Sequence, residues 1–506
     1  MEKETRIMKL NYAKTIEKWG IFEVTISGPK EGNPFCDQWI KGTFCCKNEK
    51  KTVDGFYDGD GAYKVRFMPS FTDKYTFEIE SSFDINAGEE VPEHKLGIAD
   101  GGKEAEKCAV RNMLTGSFTV TSPSEDNHGP VRVAGTYYLS YEDGTPYHCI
   151  GTTCYVWNLQ NEELQKQTLK TLEENAFNKI RFCIFPKHYD YNLHEPITYP
   201  YEGTPCDSSV LNESNFAEYN GCAPGNDWDF TRFNPAHFQH IEKCIQALMN
   251  LGIEADLIVM HPYDRWGFSM MKAEDDDRYW KYVLARFSAY RNVWWSLANE
   301  YDLMHEKTLS DWERYASIIC EKDPYHHLRS IHNCKAYYDY NLPWITHCSI
   351  QRTETYRSSE LVNEWREKYH KPVILDEICY EGNIQFGWGN ISGEEMTRRF
   401  WEAFCRGGYP GHGETYLSPD RILWWSHGGV LHGTSPDRIR FLAKIMEETP
   451  GLGVEPMPCK WDEVACRATG FPARKDYFIY YYSFMRPGFR DFYFDDTTEY
   501  QVEIID

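Results

Sequence analysis

The chain has 506 residues, enough for two to four domains, and carries 77 Asp and Glu against 54 Lys and Arg, a formal charge of -23. So acidic a balance argues against nucleic acid or an anionic membrane as partner. No run of about 18 apolar residues is present to span a bilayer.

The N-terminal stretch MEKETRIMKLNYAKTIEKWG has no apolar run of signal-peptide type. The 17 cysteines are scattered, with no C-x-x-C pair. A reduced, cytoplasmic chain without a disulfide framework is therefore expected. Residues 19–122 read as short strands. Phe22, Val24 and Ile26 alternate, as do Tyr75, Phe77 and Ile79, with Gly-Pro and Asp-Gly turn signals between the runs. That pattern suits a β-sandwich over 1–122. SPSEDNHGP, 122–130, reads as a linker. Asp58-Gly59-Asp60-Gly61 reads as a hairpin turn, since it lacks the later acids of a calcium loop.

From 131 to 445 strand-like runs alternate with helical ones. The expected strands are 149–154, 179–185, 253–260, 293–298, 328–332, 344–350, 372–375 and 422–425. Phe238, Ile241, Ile245 and Leu248 keep helical spacing between two of them. Eight strands separated by helices predict the α/β class, a (β/α)8 TIM barrel. The segment 187–234 is too long for an ordinary βα loop and is expected to be functional. After 446 the runs YFIYYYSF, DFYFDD and YQVEIID predict a small C-terminal β-module over 446–506. Whether it is complete at Asp506 stays open.

Two expected strands run into glutamate: VWWSLANE ends at Glu300 and PVILDE at Glu377. Buried charge is costly unless it is paired or used. In a barrel the chemistry sits at the C-terminal strand ends, and strands four and seven face each other across the mouth. Two opposed carboxylates suit retaining glycoside hydrolysis, in which one acts as acid and one as nucleophile about 5 Å apart. Each Asn-Glu or Asp-Glu alone would read as a helix start; the pair carries the catalytic reading.

The N-E after strand four and E after strand seven resemble clan A glycoside hydrolases. KWGIFEVTISG and GFYDGDGAYKVRFMP resemble the Ig-like module that precedes a group of glycosidases. GTTCYVW, FNKIRFCIFP, WITHCSIQ and PVILDEICYEGN resemble apiosidase-like barrels of the family-five type, and the tail resembles the β-module that follows them. The resemblance implies Glu300 as general acid/base, Asn299 on the sugar's 2-hydroxyl, Glu377 as nucleophile, and Arg181 beneath it. Gly151-Thr152-Thr153 stands where such barrels often have Gly-Asp-Thr, so the family's substrate does not transfer.

Glu300 is expected to hold the pair's proton in the free site. His261, His332, His347 and His427 are placed at strand ends three, five, six and eight as sugar ligands, with Gln351 beside them. Trp424 and Trp425 are read as a sugar platform, one facing the pocket and one packing outside, and Trp157 as a weaker candidate. No metal and no cofactor are expected, since no H-E-x-x-H occurs. The expected partner is a carbohydrate substrate, with self-association left open. The leading reading is an exo-acting retaining glycosidase on short oligosaccharides. A non-catalytic carbohydrate-binding barrel, a metal-dependent hydrolase and a transglycosylase are its rivals.

Overall fold

The structure is a computed structural model that describes residues 12–85, 112–354, 356–458, 464–469, 477–494, 497 and 499–505. Eight parallel strands form one sheet: β1 Gly151–Thr153, β2 Lys179–Cys183, β3 Glu254–Met260, β4 Val293–Ala298, β5 Arg329–Ser330, β6 Cys348–Gln351, β7 Val373–Glu377 and β8 Tyr409–His412. Their order is β5-β4-β3-β2-β1-β8-β7-β6. A parallel bridge from His332 to Ser349 joins the two ends, closing a (β/α)8 TIM barrel. Strands covered on both faces are buried along their whole length, as every residue of EADLIVM in β3 and VWWSLA in β4 is.

Helices Glu162–Glu173, Pro235–Asn250, Ala273–Phe287, Leu309–Lys322, Val362–Tyr369, Gly393–Cys405 and Ser435–Glu448 cover the outside. Phe238, Ile241, Ile245 and Leu248 bury one face of the second of these. Starts are fixed locally. The Asn161 side chain accepts the Leu164 N–H, and Thr308 and Asp311 form a capping box. The β5–β6 connection, 331–347, carries no helix.

The eighth strand corrects the sequence expectation. It is Tyr409–His412, whereas Trp424–His427 is a short helix. GGYPGHG reads as a turn because Gly and Pro break strands elsewhere. Here small residues are required by close approach: a Cβ on Gly411 would lie 2.8 Å from the Leu375 carbonyl oxygen. Strand six is also shorter than expected and begins at Cys348.

Residues before the barrel form a five-stranded and a three-stranded sheet. They face each other through stacked pairs, Phe22 on Phe118 at 3.8 Å and Phe44 on Phe67 at 4.2 Å. Arg66 of this sandwich reaches Glu242 on a barrel helix with bonds of 2.6 and 3.0 Å. A hairpin, Val131–Ala134 with Tyr138–Tyr141, follows. Its Val131 and Leu139 pack with Trp294, Leu328 and Ile374 under the barrel. At the other end of the chain Val454–Met457, Val464–Ala468 and Phe478–Tyr481 make a three-stranded sheet. It packs on helix Gly393–Cys405, with Tyr481 stacked on Trp401 at 5.5 Å. Every described cysteine is free. No helix among the described residues is long and apolar enough to cross a membrane.

The long segment after β2 divides its work. Lys187 and Tyr189 lie at the barrel mouth, among Tyr155, Tyr263 and Trp425. Its hairpin, Tyr201–Thr204 with Asp227–Phe233, turns toward the sandwich, where the Asn33 Nδ2 donates to Thr231 Oγ1 at 2.8 Å.

Candidate active site

Both glutamates sit at the C-terminal rim of the barrel, Glu300 just past β4 and Glu377 at the end of β7. Period-two alternation would send Asp376 and Glu377 to opposite faces. The pairing of β6 with β7 slips by one residue at Ile350/Gln351, so Gln351 lies opposite Glu377. Such a bulge re-aims a side chain. Asp376 takes the layer below, where Lys179 Nζ reaches it at 2.7 Å and Asp256 at 2.8 Å. Burial works against the Asp376 charge, but Lys179 and Arg181 override it and hold the carboxyl well below the usual range. Glu300 has φ of 51°, a left-handed conformation that side chains rarely adopt. Backbone strain of this kind collects at functional sites.

One hydrogen-bonded set joins the two carboxylates. Glu300 Oε2 accepts from the Tyr263 hydroxyl and from Asn299 Nδ2 at 3.2 Å, and Oε1 accepts from Gln351 Nε2 at 3.0 Å. Asn299 Oδ1 accepts from Arg181 Nη1 at 2.7 Å and faces the Tyr155 hydroxyl at 3.1 Å. The Tyr155 hydroxyl also donates to Glu377 Oε1, and Arg181 Nη1 lies 3.6 Å from the same oxygen. His332 Nδ1 accepts the Glu300 N–H at 3.4 Å, and its Nε2 lies 3.9 Å from Glu377. Burial, with the Arg181 charge adding, keeps His332 neutral.

Burial pushes Glu377 up to about 7 and the Glu300 charge adds to the effect, while Arg181, the Tyr155 bond and Lys187 oppose it. Three side-chain donors converge on Glu300, whereas the Tyr155 hydroxyl donates to Glu377.

The remaining sequence candidates divide. Arg181, Asn299, His332 and Gln351 join the carboxylate set. His261 follows β3, with Nε2 3.3 Å from the Phe185 carbonyl. Trp425 forms a wall of the mouth with Trp388 at 5.3 Å and Tyr155 at 5.6 Å. The others fall elsewhere. His347 precedes β6 and packs on Trp294 at the opposite end of the barrel, because the strand starts later than its apolar run suggests. Trp424 turns outward, its Nε1 donating to Thr152 Oγ1 at 2.8 Å. Trp157 is fully buried against Phe182 in the layer between strands and helices. His427 sits on the short helix and not at a strand end.

Four mouth residues carried no sequence signal. Tyr155 and Tyr263 bond the glutamates, and Trp388 completes the wall. Lys187 is buried, with Nζ 3.4 Å from the Tyr155 ring centre, 4.3 Å from Tyr263 and 4.5 Å from Trp425. Burial draws its ammonium down to about 8.

Three family models match the chain. "Apiosidase-like, catalytic domain" covers residues 134–436, and two domains of unknown function, DUF5060 and DUF5605, cover 15–82 and 461–506. The crystal structure of a "putative glycoside hydrolase" from Bacteroides vulgatus ATCC 8482 is similar at 39% identity and a TM-score of 0.77, over 89% of this chain and 84% of that one. A glycoside hydrolase family 5 structure from the same organism aligns at 17% identity and a TM-score of 0.51, over 68% of this chain and 78% of that one. The latter likeness is one of fold. A comparison with curated proteins gave no match.

Proposed function

The chain belongs to the apiosidase-like family, and from that membership we propose that it is a retaining glycoside hydrolase working by double displacement. The observation that carries this reading is the network at the barrel rim that runs from Glu300 through Asn299 and Arg181 to Glu377, with the Tyr155 hydroxyl donating to the same Glu377 oxygen. The names of the similar structures support the hydrolase class.

In the first step an ionised Glu377 oxygen attacks the anomeric carbon while Glu300 gives a proton to the departing glycosidic oxygen. Productive binding therefore places the pair's single proton on Glu300. Arg181 and the Tyr155 hydroxyl hold the attacking carboxylate in place and favour its charge. Asn299 keeps an Nδ2 hydrogen for the sugar's 2-hydroxyl. In the second step Glu300, now a carboxylate, takes a proton from water, and the water oxygen displaces Glu377. The shared step explains why transfer to a non-water acceptor needs no other residues.

The wall of Tyr189, Trp388 and Trp425 with the buried Lys187 suits a pocket for one terminal sugar, so exo-action on short oligosaccharides or glycosides follows. A screen of aryl arabinofuranosides, β-glucosides, β-galactosides and β-xylosides, with Glu377→Gln as blank, tests the activity. Release of aryl alcohol at equal rates by both proteins would reject it. For exo-action, a labelled oligosaccharide must lose single residues from one end, and early mid-chain products would reject the pocket.

A further inference from the structure

Beside the barrel, behind the wall that carries Trp425, lie two buried carboxylates the proposed reaction does not use. Glu381 and Glu414 sit on strand segments that pair past β7 and β8. Both are essentially inaccessible, at 0% and 1%. Each grips the loop at the start of helix Ser435–Glu448. Glu414 accepts the N–H groups of His432 and Gly433 at 2.6 and 2.7 Å; Glu381 accepts those of Thr434 and Ser435 at 2.7 and 3.0 Å. Among the described residues no Lys or Arg forms an ion pair with either. Two like charges buried side by side without a cation are unstable, and backbone amides supply only partial charge.

His412 supplies the second observation. It is fully buried, and one of its ring nitrogens lies with an oxygen of each carboxylate inside a sphere of contacts no wider than 4.8 Å. Nδ1 faces Thr152 Oγ1 at 3.2 Å, while Nε2 has no hydrogen-bond partner. A proton on Nε2 would leave a buried N–H orphaned, which is rare. With the proton on Nδ1, donated to Thr152, Nε2 presents a bare lone pair. That is the arrangement of a metal-ligating histidine whose other nitrogen is held by a neighbour. The Ser435 hydroxyl on the same loop is also buried and unpartnered.

We propose that Glu381, His412 and Glu414 bind a divalent transition-metal ion, Zn2+ being the best match to one imidazole and two carboxylates. The ion is structural. It offsets the two buried charges and pins the loop before helix Ser435–Glu448 to the ends of β7 and β8. Through Thr152, which also accepts the Trp424 N–H at 2.8 Å, the site connects to the short helix that bears Trp425. The metal takes no part in the chemistry at Glu300 and Glu377, and its binding is read without substrate.

Tag-free protein is stripped with EDTA, dialysed against ZnCl2, and its bound zinc measured beside the His412→Ala and Glu414→Gln variants. Any zinc held by the exposed cysteines is common to all three proteins, so the difference is decisive. The wild type is expected to hold one equivalent more than either variant. Its melting temperature is expected to rise by about 5 °C on restoring Zn2+. If the variants do not fold, the melting response of the wild type decides alone. Equal zinc in wild type and variants, or a wild-type melting temperature that ignores both EDTA and Zn2+, overturns the proposal in favour of a proton shared by the two glutamates.

Discussion

Tyr155→Phe isolates what holds the proposed nucleophile. The substitution keeps the ring that packs beside Trp425 and under Lys187 and removes only the hydroxyl that donates to Glu377 Oε1. A hydrogen bond to a charged group contributes roughly 1.5–3 kcal/mol. It favours the ionised carboxylate, so its loss must push the Glu377 carboxyl further above about 7. At about 1.4 kcal/mol per pH unit, the acid limb of kcat/KM should move up by about one to two pH units. Measured at pH 6 on the best aryl glycoside, kcat/KM should fall roughly 10- to 100-fold, with much of the loss recovered toward pH 8. A uniform loss across the whole pH range would mean that the hydroxyl positions Glu377 without setting its charge. An acid limb that stays in place, or moves down, would refute the electrostatic reasoning.

Glu377→Gln should stabilise the fold as activity disappears. The wild-type carboxyl is raised in the folded chain, so its contribution is fully present at low pH and lost as pH rises from about 4.5 through about 7. The gain of the variant, on the order of 3 kcal/mol at pH 8 and near zero at pH 4, is read from melting curves; equal gains at both pH values would contradict it. Glu300→Ala should lose activity on alkyl glycosides yet still release leaving groups that need no proton, with burst kinetics as the glycosyl-enzyme accumulates. Equal losses on both substrate types would remove Glu300 from the acid role. Gly411→Ala should cost about 1–3 kcal/mol and lower activity, since the new methyl meets the backbone of β7; an unchanged melting temperature would question the placement of β8.

The barrel and its two carboxylates were legible because the physics there leaves a one-dimensional trace. Strands buried on both faces are largely apolar, as in 293–298, where Ser296 alone is polar, and in 373–375, and a charge ending such a run stands out. Strand β8 left no such trace, because its constraint is close backbone approach, which selects Gly411 and, with the glycines and proline around it, imitates a turn. The bulge at Gln351 leaves no trace either, yet it lets Asp376 and Glu377 serve two layers. Tyr155 and Tyr263 went unread for a different reason. In a chain with 35 tyrosines, nothing separates one that bonds a carboxylate from one that packs. Trp157 and Trp424 show the converse, since a tryptophan packed between strands and helices and one at the barrel mouth read alike until their neighbours are known. Lys187 was lost in a segment treated as a single loop, although its first residues line the mouth and its hairpin packs on the sandwich.

Azide rescue of Glu377→Ala, on an aryl glycoside that the wild type cleaves, tests directly whether Glu377 is the nucleophile. With the carboxylate gone, azide enters the vacated space and attacks the anomeric carbon, while Glu300 still assists departure. Recovered turnover is expected, with a glycosyl azide of anomeric configuration opposite to the substrate. Recovery with retained configuration, or no rescue while Glu300→Ala is rescued in its place, would contradict the assignment of Glu377 as nucleophile.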